Sequence, residues 1–147
     1  MFDNILVPSD RSSLSQKAVK EAIALAKVTG SKITLLHVYP KFSGSPYGTY
    51  GPAEDVLEEA HNRQSREQAE KLFASVRKQA DAAGVPFASV LVESNDVWKQ
   101  IIAVARKRKC DLICMASHGR RGLSGVVLGS ETHKVLTHSD IPVLVLR

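Results

Sequence analysis

The chain has 147 residues, 44% hydrophobic and 24% charged, a length and balance that point to one globular domain over residues 1–147. A formal charge of +5 permits an anionic ligand, but aromatic residues are only 5% and no RNA- or DNA-binding signature is present, so nucleic acid is not an expected partner. No apolar run reaches the roughly 18 residues of a membrane span and no basic leader precedes the first strand, so a cytoplasmic protein without a membrane partner is expected.

The first apolar run, Asn4-Ile-Leu-Val-Pro8, is short and contains β-branched residues, which predicts a strand buried on both faces. Ser12 and Ser13 are candidate caps for a helix to about Thr29, with Leu14, Ala18, Ala22, Leu25 and Ala26 at helical spacing and Gly30 as its stop. Lys32-Ile-Thr-Leu-Leu-His-Val38 reads as a second strand. The stretch from Pro40 to Pro52, rich in Gly, Pro, Ser and aromatic residues, reads as a long loop.

A second helix is expected from about Ala53 to Ala83, ended by Gly84 and Pro86. Its apolar positions are Val56, Leu57, Ala60, Leu72, Phe73, Val76 and Ala80, and its polar turn from His61 to Arg66 is expected to project from the body. Phe87-Ala-Ser-Val-Leu-Val-Glu93 is the third predicted strand. Asp96 is a candidate cap for a third helix, Val97 to about Lys107, that buries Trp98, Ile101, Ile102 and Ala105. The run Arg106-Lys-Arg-Lys109 reads as its solvated end, where cations complement the helix dipole. Asp111 to Met115 forms a fourth strand, Ser130 to about Thr137 a last helix, and Ile141-Pro-Val-Leu-Val-Leu-Arg147 a last strand.

Strands that alternate with helices imply an α/β fold, a doubly wound parallel sheet with helices on both faces and right-handed crossovers. Ligands in such sheets sit at the carboxyl ends of the strands. Three segments end there: Pro8-Ser9-Asp10, Val38 with the loop after it, and the stretch after the fourth strand. The two cysteines, Cys110 and Cys114, are about 13 Å apart if both lie on one extended segment. A disulfide needs Cα atoms within about 7 Å, so both are expected to be reduced core residues.

The stretch after the fourth strand runs Met115-Ala-Ser-His-Gly-Arg-Arg-Gly-Leu-Ser-Gly-Val-Val-Leu-Gly-Ser-Glu-Thr132. Gly119, Gly122, Gly125 and Gly129 with two arginines lie between a strand and a helix start, a geometry that gathers backbone N–H groups around an anion. Glycine matters there because a Cβ holds the backbone away from phosphate oxygens. Neither G-x-x-x-x-G-K-[ST] nor a G-x-G-x-x-G after the first strand is present. On spacing alone, plain turns are the commoner reading of such glycines. Asp10, at the end of the first strand, suits ribose hydroxyls.

The run Ala116-Ser-His-Gly119, nine residues, then Gly129-Ser130 is similar to the G-x-x-G-x9-G-[ST] ATP-binding motif of the universal stress protein family. The opening Ile5-Leu-Val-Pro-Ser-Asp10, Leu36-His-Val38 and the closing Ile141-Pro-Val-Leu-Val-Leu146 resemble the same family, so the likeness covers essentially the whole chain. The resemblance implies a Rossmann-like five-stranded sheet of order 3-2-1-4-5 and ATP or AMP as ligand, with Mg2+ or Mn2+ as the accompanying ion. It also implies a homodimer through the last strand, Ile141 to Arg147. By position, Asp10 would meet the ribose and the backbone of Val38 the adenine, with Pro8 and Ser9 lining that pocket. Met115 and Ala116 would lie under the ribose. Gly119, Gly129, Ser130, Glu131 and Thr132 would hold the phosphates through backbone or hydroxyl groups. His118, Arg120 and Arg121 are weaker candidates. The motif's first glycine is Ala116 here.

The leading function is therefore a nucleotide-binding stress or regulatory protein with slow hydrolysis at most. A true ATPase needs a metal and an oriented nucleophile, with Asp10 and His118 as its candidates. A dimeric interaction protein that binds nucleotide weakly or not at all is the third reading, resting on Ala116. A signalling receiver domain needs an acceptor aspartate where this chain has Glu93.

Overall fold

A computed structural model of the protein describes residues 1–44, 48, 51–119 and 128–147. The strands are β1 (Asn4–Pro8), β2 (Lys32–Tyr39), β3 (Phe87–Glu93), β4 (Leu112–Ala116) and β5 (Val143–Leu146). The helices are α1 (Ser13–Thr29), α2 (Pro52–Ala83), α3 (Val97–Lys107) and α4 (Ser130–His138). The strands form one five-stranded, all-parallel sheet in the order β3-β2-β1-β4-β5. This is the expected order. The chain winds outward from β1 through β2 to β3, then returns to lay β4 on the other side of β1. The switch point between β1 and β4 is where a doubly wound sheet opens a crevice.

Strand alternation divides the core into two layers. Ile5, Val7, Ile33 and Leu35 pack with Val19, Ala22 and Ile23 of α1 and Leu72 and Val76 of α2. On the opposite face, Leu6, Leu36, Ile113 and Met115 pack with Ile101, Val104 and Ala105 of α3 and Val135 of α4. Ile5, Leu6 and Ile33 are fully buried, and each such side chain contributes about 1.5–3 kcal/mol of transfer free energy. Cys110 and Cys114 are both free and buried, as the spacing implied.

Local sequence sets the helix ends. Ser12 caps α1, its hydroxyl accepting from the Ser15 amide at 3.2 Å. Gly30 closes the helix at φ +75°, a left-handed position that suits glycine, and its amide donates to Ala26 O. Asp96 stands at the cap position of α3, yet its side chain makes no cap bond and lies 3.6 Å from Lys99 Nζ instead. The cap comes from α4: Glu131 Oε2 accepts from the Trp98 amide at 2.8 Å. Trp98 is half-buried rather than buried, and its ring stacks on His138 at 4.5 Å. That ring fills the seam between α3 and α4, which a helical period on one element does not reveal.

Helix α2 departs from expectation in its first half. Its buried residues are Ala69, Leu72, Val76 and Ala80, all in the second half, while Val56 and Leu57 are 65% and 50% exposed. The first turns project, and in the polar middle Arg63, Gln64 and Arg66 are exposed while His61 is not. His61 is half-buried, its Nε2 donates to Pro40 O at 2.8 Å, and its ring packs beside Tyr39 and Phe42. The histidine thus fastens the helix to the chain leaving β2, an interaction that polarity alone conceals.

Candidate functional site

The end of β1 is held by a network of short bonds. The Ser9 amide donates to Leu36 O at 2.9 Å, and His37 Nδ1 donates to Ser9 O at 2.8 Å. The Ser9 hydroxyl lies 3.1 Å from that of Ser15, and both are buried. Asp10 Oδ1 accepts from the Ser12 amide at 3.0 Å, a local turn that fixes the carboxylate's direction. Arg11 follows in the left-handed region at φ +67°, its amide donating to Ser9 Oγ at 3.2 Å.

Two glycines close the opposite wall. A Cβ on Gly119 would stand 2.7 Å from Asp10 Oδ2, so the chain after β4 runs directly against the Asp10 carboxylate. A Cβ on Gly129 would meet Ser117 O and His118 Cα, each at 3.3 Å. The Gly129 amide donates to Ser117 O at 2.7 Å. The backbone before α4 is thereby pressed onto the backbone after β4. A Cβ at Gly129 would press on backbone, whereas at Gly119 it would meet the movable end of the Asp10 side chain.

Helix α4 starts next to this contact. Its first backbone bond is His133 N to Gly129 O at 3.0 Å, so the amides of Ser130, Glu131 and Thr132 precede the helical ladder. A helix start carries a partial positive charge and donor groups suited to phosphate. Ser130 is exposed and Gly129 half-exposed. The side chains of the next two residues are engaged elsewhere. Thr132 is buried and its hydroxyl donates to Ala116 O at 3.0 Å. Glu131 spans the Trp98 amide and, through Oε1, Lys134 Nζ at 3.3 Å. The Thr132 hydroxyl and the Glu131 carboxylate thus already have partners within the protein.

Val38 and Met115 pack on the face covered by α3 and α4, and Pro8 has the same strand parity as Leu6 on that face. These three carboxyl-terminal positions of β1, β2 and β4 therefore share one side of the sheet. Ala116 closes β4 and is only 7% exposed, so the methyl that replaces the motif's first glycine hydrogen is covered by the protein itself. His118 is half-buried, with Nδ1 3.0 Å from the Ser117 hydroxyl. Arg120, Arg121, Gly122 and Gly125 lie outside the described residues. Among the described residues no group of three His, Cys, Asp or Glu side chains converges to hold a metal ion.

Sequence reasoning overlooked His37, Ser15 and Ser117 as parts of this construction. The available signal was a buried-type position occupied by a polar residue: His37 interrupts the apolar run of β2, and Ser15 and Ser117 sit beside small or apolar neighbours. A polar group placed there must find a partner, and all three do so around Ser9, Gly129 and His118.

A doubly wound parallel sheet with a glycine-lined crevice at its switch point defines the structural class. The sequence model of the universal stress protein family matches residues 1–147, and the chain belongs to that family. It is 31% identical to the universal stress protein YxiE of Bacillus subtilis over 150 residues, spanning 100% of both chains. The structure of MJ0577 from Methanocaldococcus jannaschii superposes with a TM-score of 0.79 at 27% identity, over 99% of this chain and 96% of that one. A universal stress protein solved in complex with cAMP has the same fold, with a TM-score of 0.71 at 22% identity over 99% and 97% of the two chains. No helix among the described residues is long and apolar enough to cross a membrane.

Proposed function

We propose that this chain binds an adenine nucleotide, ATP or AMP, in the crevice between the ends of β1, β2 and β4, and serves as a cytoplasmic stress-response or regulatory protein. The observation that carries the reading is the double close approach at Gly119 and Gly129, which brings the chain after β4 against Asp10 and against the start of α4. In this reading Asp10 takes the ribose hydroxyls, and the backbone of Val38 meets adenine beside Pro8 and Ser9. Met115 and Ala116 form the floor under the ribose. The amides of Gly119, Gly129, Ser130, Glu131 and Thr132 and the Ser130 hydroxyl take the phosphates. Mg2+ or Mn2+ enters with the phosphates. The adenine nucleotide cAMP in a protein of the same fold agrees with this choice of ligand. Hydrolysis is slow at most, because fast phosphoryl transfer needs a metal-holding set beside an oriented nucleophile and no observation favours one.

The same proposal includes a homodimer through residues 141–147. Strand β5 ends the sheet and pairs only with β4 among the described strands. Its sequence, Val143-Leu-Val-Leu146, has no charge or proline to discourage pairing, and Leu144 is 38% exposed.

Equilibrium dialysis with labelled ATP and AMP tests the reading. Saturable micromolar binding, about 8 kcal/mol, is expected. No binding up to millimolar nucleotide overturns it.

A further inference from the structure

We propose that the cleft between α1 and α2 binds a small polyanion of the phosphate-chain class, at a site separate from the nucleotide crevice. The cleft is an open groove of about 430 Å³. Its polar lining pairs three cations, Arg11, Lys20 and Lys71, with the amides Gln16, Gln68 and Gln79. Among the described residues no carboxylate lines it. The acidic residues of α2, Glu58, Glu59, Glu67 and Glu70 among them, gather on a different face of that helix.

The three cations make no ion pair among the described residues. Like charges brought around one concavity repel, and a bound anion reverses the sign of that term. Arg11 adds two further observations. Its backbone is left-handed at φ +67°, a strained state for a long side chain. Its Nε is buried and has no acceptor among the described residues. A buried charged donor without a partner is costly, and strain of this kind gathers at ligand sites. An anionic oxygen in the cleft supplies the missing acceptor. Glutamine amides beside the cations add neutral donors that suit a chain of phosphate oxygens.

The cleft does not rest on the nucleotide reading. Helices α1 and α2 cover the face of the sheet opposite that of Val38 and Met115. The two sites share only the turn in which Asp10 precedes Arg11.

Tripolyphosphate is the test probe, titrated calorimetrically at fixed ionic strength and mapped by amide NMR shifts. A Gly129→Leu variant, altered at the nucleotide crevice, is expected to keep one saturable tripolyphosphate site even where wild type shows a second. Shifts are expected in α1 and α2. A folded Lys20→Gln/Lys71→Gln variant is expected to bind at least tenfold more weakly, and Arg11→Gln to weaken binding likewise. Absence of saturable binding overturns the proposal. So does unchanged affinity in the lysine variant, or shifts confined to Gly119 and the start of α4.

Discussion

Asp10 Oδ2 stands 2.7 Å from the point a Cβ on Gly119 would occupy, so the last turn of β1 and the first turn after β4 are mutually shaped. The oxygen on the other side of that carboxylate is held by the Ser12 amide at 3.0 Å. Gly119→Ala therefore turns the carboxylate away from its present direction. The fold tolerates this, because a side-chain terminus moves rather than backbone. ATP affinity is expected to fall about 10–100-fold, the cost of about 1–3 kcal/mol for one misplaced methyl. A double-mutant cycle with Asp10→Ala checks the cause: the two losses overlap and do not add.

Thr132 and Glu131 separate a structural role from a binding one. Thr132→Val removes the buried bond to Ala116 O and is expected to lower unfolding free energy by about 1–2 kcal/mol in urea melts. Glu131→Gln weakens the cap on α3 and is expected to cost about 0.5–1 kcal/mol. Neither is expected to change the dissociation constant for ATP more than about threefold, because the amides of these residues remain. A hundredfold loss in either variant would place the side chain on the phosphates.

Both cysteines sit in the core, which keeps them unreactive. Burial pushes the Cys114 thiol up to about 11, with Glu21 a lesser contribution in the same direction. Burial also raises Cys110. Titration of the native protein with a thiol reagent near pH 8 is expected to label neither within minutes, and both after unfolding in guanidinium.

Asp111 ties β1 to β4 at the end of the sheet away from the crevice, accepting from the amides of Asp3 at 2.8 Å and Asn4 at 3.0 Å. Burial pushes its carboxyl up, but those amide bonds outweigh burial and hold it below its ordinary value. A depressed folded value means stability present above the unfolded pKa and lost as pH falls through the folded one. Asp111→Asn is expected to cost about 1 kcal/mol at neutral pH, discounted for the exposure of the group. The difference from wild type is expected to shrink as pH falls below the ordinary carboxylate range in paired urea melts.

The sheet was legible because each of its strands is a short apolar run and each helix carries its own start or stop. Ser12 and Gly30 bound α1 by local chemistry, and Gly84 does the same for the end of α2, at φ +71°. Interactions between elements distant in sequence were not legible. The cap of α3 resides on Glu131, 33 positions from Trp98, and a single-helix reading assigns it to Asp96. His61 was read as solvent-facing because its neighbours are polar, whereas Pro40 O supplies its partner. In the crevice, the resemblance to the family motif pointed to Gly119 and Gly129, but not to what each one faces. At Thr132 the sequence left hydroxyl and amide both open, and the hydroxyl is engaged by Ala116 O.

The central claim is that Gly129 keeps backbone against backbone so that amides at the start of α4 face phosphate. Titration of ATP into wild type and a folded Gly129→Leu variant, followed by calorimetry, tests it most directly. A Cβ there would already stand 3.3 Å from Ser117 O and His118 Cα, and a larger side chain must part the two segments. Saturable binding by wild type and a loss of at least about 100-fold in the variant, with unchanged circular dichroism, is the predicted result. Equal affinity in the two proteins would contradict it.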